Sequence, residues 1–446
     1  MLIGFVPLKH NNFYYKFTCG KKQRENCVLS GGRYTTKFSS NSDYQDFCNL
    51  YDSYPKEVGT IKKLNRFCFF SFFIFATVFL SIMKIKEIIC ALEQFAPLPL
   101  QDDFDNAGLQ VGLTEVETAG ALLCLDVTEA VIDEALTFNL NLIISHHPLI
   151  FKGYKSITGK DYVERCILKA IKHDITIYSA HTNLDNTFGG VNFKIAEKIG
   201  LKDVQILSPK EESLLKLIIY TPLSHADKVR EALFSVGCGS IGNYNSCSYN
   251  SKGEGTFRAM EGATPFCGHI GEMHSEDEIK IETILPFYKK PEAIKALIEA
   301  HPYEEPIYDF YPLQNTWKQA GAGIIGSLAI AEPELDFLKR IKDTFKITCL
   351  KHNKPVRHLI QKVALCGGAG AFLLPQAIRN KADAFITGEM KYHDYFGHET
   401  EILIAETGHY ESEQYTTEIF RTVIKETFPD FTLQISKINT NPIKYL

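Results

Sequence analysis

The stretch of sequence that decides the fold is Ala121–Pro148, ALLCLDVTEAVIDEALTFNLNLIISHHP. Its first apolar run is typical of a strand buried in a parallel sheet. Thr128 then has the side chain expected at the N-cap of the amphipathic helix that follows. A second apolar run, Leu142–Ile144, ends just before His146 and His147. A strand, a helix and a strand in this order predict a βαβ unit with parallel strands.

The same alternation extends toward both ends of the chain. It predicts an α/β fold with mostly parallel sheets, either as one domain in two segments or as two similar halves. The other predicted helices are 85–95, Val163–Ile171, Gly189–Ile199 and Leu335–Phe345, and the other predicted strands are Ile175–Ala180, Val363–Cys366, Ala384–Thr387 and Ile402–Ala405.

Residues 213–313 interrupt this pattern. Their order of strand, helix, hairpin-like strands, a further strand, helix and strand indicates an inserted α+β domain of ferredoxin-like character. Residues 83–212 and 314–446 then form the first and second segments of the α/β domain.

Residues 1–82 match neither pattern and end in a Phe-rich run, Phe67–Ile82, FCFFSFFIFATVFLSI. This run is slightly shorter than the ~20 residues that span a bilayer. Because Met83 begins a stretch with regular helical spacing, we favour Met83 as the true start and residues 1–82 as a non-native extension. A membrane anchor at 67–82 is the alternative.

Composition places the chain among ordinary globular proteins, with 45% hydrophobic and 23% charged residues. The net charge of -5 gives no reason to expect nucleic-acid binding. The 12 cysteines include no CxxC pair, a pattern that fits a reducing compartment, so we expect a cytoplasmic protein.

Polar side chains of metal-ligand type follow four of the predicted strands. The carboxyl ends of parallel strands share one edge of a sheet, where ligands bind. His409 and Glu413 have i, i+4 spacing, so a helix there would place both on one face. The groups at the four strand ends are His146 and His147; His181 and Asp185; Glu389, Lys391 and His393; and His409 and Glu413.

Three imidazoles and two carboxylates at one edge favour Zn, Mn, Fe or Co over Ca or Mg. Two carboxylates could also bridge a metal pair about 3.5–4 Å apart. A lone histidine is more often an ordinary satisfied polar residue, and that interpretation applies first to His173, His225, His301, His352 and His358. The glycines at Gly367–Gly370 indicate either a tight turn or an anion site.

The motifs SHHPLIF (145–151), HTNLD (181–185), GEGTFR (253–258), HPYEEPIYDFYPL (301–313), GEMKYHD (388–394) and GHYESE (408–413) occur together in this chain. With them, the sequence from Met83 onward resembles the GTP cyclohydrolase 1 type 2 homologue family, also called NIF-three-like dinuclear metal centre proteins. DFDNAGLQVG (103–112) also matches, except that Phe104 replaces the usual Trp.

The resemblance implies two divalent metal ions per chain, with His181 beside them. It also implies a toroidal homohexamer, with an insert that resembles the PII and CutA type. The metal ligands that it implies are His146, His147, Asp185, His409 and Glu413.

Two functions are compatible with these features. The first is a metal-dependent hydrolase of a nucleotide or phosphoester, of which GTP cyclohydrolysis is one instance. His181 or His393 would shuttle protons, and Glu389 and Lys391 would orient the substrate. The second is a non-catalytic, metal-dependent hexameric assembly or a regulatory partner-binding protein.

Overall fold

The computed structural model describes residues 83–355, 359–398 and 401–446, together with four short strands nearer the N terminus. The chain divides into two units, Met1–Phe79 and Leu80–Leu446. The predicted apolar run at 67–82 lies outside the described residues. In the described part of the chain, no helix has the length and apolar character needed to cross a membrane.

The described residues of the first unit form an antiparallel sheet. Its strands follow chain order and are β1 (Gly4–Phe5), β2 (Tyr15–Cys19), β3 (Cys27–Gly31) and β4 (Tyr34–Lys37).

Strands and helices alternate along most of the second unit. The strands are β5 (Met83–Lys84), β6 (Gly108–Val111), β7 (Glu117–Thr118), β8 (Gly120–Cys124), β9 (Leu142–Ser145), β10 (Thr176–Ser179), β11 (Lys202–Lys210), β12 (Leu214–Pro222), β13 (Ser248–Arg258), β14 (Met273–Pro286), β15 (Tyr308–Leu313), β16 (Trp317–Glu332), β17 (Lys351–His352), β18 (Ile360–Cys366), β19 (Ala384–Thr387), β20 (Leu403–Glu406) and β21 (Thr432–Ile435). The α-helices are α1 (Ile85–Phe95), α2 (Glu129–Thr137), α3 (Tyr162–Lys172), α4 (Thr182–Asp185), α5 (Val191–Ile199), α6 (Ala226–Ser235), α7 (Lys290–Ala300), α8 (Glu334–Phe345), α9 (Leu374–Arg379), α10 (His409–Glu413) and α11 (Thr416–Thr427).

The first α/β sheet has the strand order β21-β8-β9-β10-β6. Its first four strands are parallel, and β6 is an antiparallel edge. Every residue of β8, β9 and β10 is buried, because layers cover both faces, and this explains their continuous apolar runs. At the start of α2, the Thr128 hydroxyl accepts a hydrogen bond from the Val131 N–H, so the predicted N-cap is confirmed.

The second α/β sheet has the order β11-β16-β18-β19-β20-β17. The neighbours β18, β19 and β20 pair in parallel, and the pairings β11–β16, β16–β18 and β20–β17 are antiparallel. The predicted α/β class is therefore confirmed, with antiparallel edges that the sequence pattern did not indicate. Strand β21 was also missed, because its partner β8 lies far away in the sequence.

The segment from β12 to β15 forms a separate antiparallel sheet of order β13-β14-β12-β15. With α6 and α7 it has the βαββαβ order of ferredoxin-like folds. It buries its own apolar cluster, which includes Leu217, Val229, Ile281 and Leu297. The exact domain boundaries at 212/213 and 313/314 stay predictions.

One apolar core connects the two α/β sheets. Buried residues of α1, α5, α8 and α11 pack together with residues of β8 and β18, among them Ile85, Leu123, Phe337, Val363 and Phe420. Because these helices pack against both sheets, the carboxyl ends of the two sets of parallel strands open onto one cavity.

Candidate metal centre

The cavity between the sheet edges has a volume of about 520 Å³. His147 reaches it from the end of β9, and Asp185 from the end of α4. From the other sheet come Glu389, after β19, and both His409 and Glu413 of α10. All four predicted strand ends therefore contribute to one cavity.

His146 lies behind the cavity wall and is fully buried. Its Nδ1 is 2.9 Å from the carbonyl oxygen of Ala180, which can only accept, so Nδ1 carries the proton. Its Nε2 is 3.7 Å from Asp185 Oδ1 and 3.8 Å from Glu413 Oε1, and has no hydrogen-bond partner among the described residues. A buried nitrogen lone pair between two carboxylates fits a bound cation.

His147 and His409 are arranged in the same way. Nδ1 of His147 is 2.7 Å from Asp126 Oδ1, and Nδ1 of His409 is 2.9 Å from Glu389 Oε1. The two Nε2 atoms are 3.3 Å apart and lie 3.0 and 3.2 Å from Glu413 Oε2. An imidazole held by a carboxylate on one nitrogen, with the other facing a shared point, is the usual arrangement of metal-ligating histidines.

The charges in the cluster shift its pKa values strongly. Burial opposes protonation of His147, but its hydrogen bonds to Asp126 and Glu413 outweigh burial and raise its pKa to about 10. Burial likewise opposes protonation of His409, but its hydrogen bond to Glu413 outweighs burial and raises the pKa of His409 to about 9. These imidazoles therefore hold protons in the metal-free protein, and a bound ion would replace that positive charge.

The two carboxylates respond differently. Burial raises the pKa of Glu413, but the three imidazoles that face its carboxylate, those of His146, His147 and His409, outweigh burial and keep that pKa well below its usual range. For Asp185 burial dominates and raises the pKa to about 7, against the attraction of His146. Glu413 is therefore the anionic centre of the cluster.

Two groups of potential ligands share one residue. His146, Asp185 and Glu413 form one group, and His147, His409 and Glu413 form another. All five predicted ligands thus lie together. Glu413 is the residue common to both groups, so it has the position expected of a bridging ligand.

The predicted catalytic residues lie at different distances from the cluster. The ring of His181 is 5.2 Å from that of His146, centroid to centroid. Glu389 contacts His409, as described above. His393 is exposed on a 3-10 turn, where its ring contacts Tyr392 and Phe396 instead of the cavity wall. Lys391 is also exposed, and the roles of both residues stay predictions.

Sequence reasoning missed the carboxylates that orient two of the histidines. Asp105 Oδ1 is 2.8 Å from Nδ1 of His181. Burial raises the pKa of Asp105, but the hydrogen bonds from His181 and Thr182 outweigh burial and lower that pKa to about 2. Asp126, the partner of His147, follows β8 by two positions. The sequence signal that could have identified Asp126 was its place just after a predicted strand, like the groups at the other four strand ends.

The glycine-rich segment after β18 forms a tight turn. The N–H of Gly367 donates to Asn192 Oδ1, and the N–H of Gly368 donates to Ser412 Oγ. Because protein side chains already use these N–H groups, the structure favours the turn over the anion site.

The fold and the cavity define a class: an α/β protein whose two sheets bring a histidine–carboxylate cluster that could hold metal ions to one cavity. A family model described as Duf34/NIF3 (NGG1p interacting factor 3) matches residues 83–442. The chain belongs to the Duf34/NIF3 family, and the resemblance found in the sequence is confirmed.

This chain matches similar proteins over nearly their whole length. A "GTP cyclohydrolase 1 type 2 homolog" of Halalkalibacterium halodurans is 40% identical over 374 residues, which are 82% of this chain and 100% of that protein. One of the same name from Bacillus subtilis is 34% identical over 368 residues, 81% and 98% of the two chains. The crystal structure of a Bacillus cereus protein related to NIF3 superimposes with a TM-score of 0.71 at 35% identity, and covers 82% of this chain and 100% of its own.

Proposed function

We propose that this chain holds two divalent metal ions in the cavity and hydrolyses a nucleotide or another phosphoester there. The observation that carries the proposal is the convergence of three oriented imidazoles on Glu413. Two such ions, when bound, would lower the pKa of a water molecule toward neutrality and polarise the substrate.

Each ion would have its own set of ligands. His146 and Asp185 would hold one ion, His147 and His409 the other, and Glu413 would bind both. Imidazole and carboxylate ligands in this ratio favour Zn, Mn, Fe or Co.

His181 has the surroundings of a proton carrier. Asp105 fixes its Nδ1, which leaves Nε2 to take up or release a proton within the cavity.

The aromatic residues that line the cavity favour a substrate with a planar ring. Phe104, Phe151, Tyr162 and Phe372 line it, and all four are exposed. Exposed aromatic rings at a cavity offer stacking surfaces for a nucleobase. Phe104, at the position where the family usually has Trp, is one of them.

The residues that line the cavity also indicate how a phosphate group would be bound. None of its lining residues in the described part of the chain is Lys or Arg, whereas five are Asp or Glu. A phosphate group would therefore depend on the ions for its positive partners. This arrangement favours substrates with few phosphates, such as nucleoside monophosphates and phosphodiesters, over triphosphates.

The test combines metal content with turnover. We expect close to two ions per chain by elemental analysis, and hydrolysis of at least one substrate among GTP, GMP, other nucleotides and phosphodiesters. Glu413→Gln should lose at least one ion and reduce turnover by at least about 100-fold, because it removes the shared ligand. Glu418→Gln, which changes a partly exposed carboxylate paired with Lys198, is the matched control.

Two results would contradict the proposal. Full metal content in Glu413→Gln would exclude the assigned ligands. A wild-type protein that holds two ions but hydrolyses no substrate of the panel would favour the non-catalytic assembly or regulatory role.

A further inference from the structure

A second group of metal-ligand side chains lies in the inserted sheet, away from the cavity. His274 and Glu276 are two positions apart on β14, so their side chains are on the same face. Cys267 comes from the loop that connects β13 to β14. One ligand atom from each of the three residues lies within 4.8 Å of the other two.

We propose that Cys267, His274 and Glu276 form an additional binding site for one divalent metal ion of the zinc type. Thiolate and imidazole ligands select zinc-like ions over Ca and Mg. Three protein ligands leave a fourth, tetrahedral position for water or an exogenous ligand. The site is independent of the proposed hydrolase centre.

The spacing of the three side chains fits such an ion. Ligand atoms around a tetrahedral zinc, with bonds of about 2.0–2.3 Å, lie about 3.3–3.8 Å apart. His274 Nε2 and Glu276 Oε2 are already 3.0 Å apart. A ligand atom of Cys267 lies within 4.8 Å of ligand atoms of both other residues.

A glycine allows the loop to approach the histidine. Gly268 has a φ of +78°, and a Cβ at this position would lie 2.8 Å from Cγ of His274. Any larger residue would push the loop, and Cys267 with it, away from β14. The backbone therefore brings the thiol and the imidazole together.

Neighbouring groups hold the ligands in place. The Tyr303 hydroxyl lies 3.9 Å from Cys267 Sγ and donates to Glu278 Oε1 at 3.0 Å. The ring of Phe257 lies 5.3 Å from that of His274, centroid to centroid. Cys267, His274 and Glu276 are all partly exposed, so an ion can enter from solvent.

The alternative is a hydrogen-bonded cluster that only anchors the loop. Cobalt(II) separates the two cases, because a Co–thiolate bond gives a strong charge-transfer absorption in the near ultraviolet. The ligands proposed for the cavity are imidazoles and carboxylates, so cobalt bound there lacks this absorption. The signal therefore reports on a cysteine site alone.

The experiment uses the full chain, stripped of metal and titrated with Co²⁺ under anaerobic, reducing conditions. We expect the wild-type protein to develop the thiolate absorption with one equivalent of cobalt beyond the cavity ions. Cys267→Ser should lose this absorption and one ion per chain. His274→Ala should weaken cobalt binding at the site by more than about tenfold.

Two matched controls keep the result specific. Cys247→Ser removes another partly exposed cysteine of the insert, and Cys366→Ser removes the cysteine that lines the cavity. Both should retain the absorption, and circular dichroism should show that all variants are folded.

The proposal is overturned if the wild-type protein shows no thiolate absorption, or if Cys267→Ser retains it. In the first case the cluster is a loop anchor only. Either outcome leaves the cavity proposal intact, because that proposal is judged by the ions that Glu413 holds.

Discussion

At the scale of single residues, the cavity depends on the acceptors behind its histidines. Each Nδ1 is tied to an oxygen, which fixes the ring and directs Nε2 inward. The acceptors are the Ala180 carbonyl for His146, Asp126 for His147, Asp105 for His181 and Glu389 for His409. These oxygens therefore support the cluster by fixing the orientation of the rings that would touch an ion.

Asp126→Asn tests this dependence. The amide oxygen can still accept from His147 but carries no charge, so we expect metal affinity to fall by about 10- to 100-fold, with little change in fold. Competition with a chromophoric chelator measures the affinity. Asp133→Asn, on the outer face of α2, should leave it unchanged. Equal affinities for wild type and Asp126→Asn would refute the orienting role.

At the scale of elements, the turn after β18 connects the strand to the cluster. Gly368 has a φ of +59°, and a Cβ there would lie 2.3 Å from Glu413 Oε1. The backbone of the turn thus contacts the shared carboxylate directly. Sequence alone indicated either a tight turn or an anion site and gave no partner for the turn, because Glu413 lies in a different element.

Gly368→Ala should therefore damage the site more than the fold. We expect about 1–3 kcal/mol of lost stability, because the added methyl group overpacks the turn, together with the loss of at least one ion as Glu413 is displaced. Chemical denaturation and elemental analysis measure the two effects. Gly153→Ala, at a position where a Cβ meets nothing within 4 Å, is the control. Full metal content in Gly368→Ala would show that Glu413 can move without consequence.

At the scale of the whole molecule, the cavity exists only because two sheets share one core. His146, His147 and Asp185 come from the first sheet, and His409 and Glu413 from the second. The helices α1, α5, α8 and α11 hold the two sheets together through buried apolar residues. Loosening this core would separate the two halves of the cluster.

The assembly is a prediction at this scale. Protein that starts at Met83 contains every element of the second described unit, so we expect it to fold and to sediment as a homohexamer. Analytical ultracentrifugation should give six times the chain mass. A well-folded monomer or dimer would contradict the hexamer. Aggregation of this protein, with membrane insertion of the full chain, would favour a membrane anchor at 67–82.

The sequence by itself determined the α/β class, most helices and the residues that converge on the cavity. These features are local: apolar periodicity defines each element, and a strand end fixes where its next polar side chain lies. In the same way, His301 proved to be an ordinary satisfied residue, with Nε2 bonded to the Tyr220 carbonyl and Nδ1 to the Tyr303 N–H.

Only the tertiary structure decided how those pieces meet. Strand β21 pairs with β8 across most of the chain, and the antiparallel edges come from strands whose partners no local pattern specifies. The shared position of Glu413, the orienting role of Asp105 and the meeting of Cys267 with His274 depend on contacts between distant segments. Packing of buried apolar surface selects such contacts, and it depends on the complete fold rather than on any one stretch of sequence.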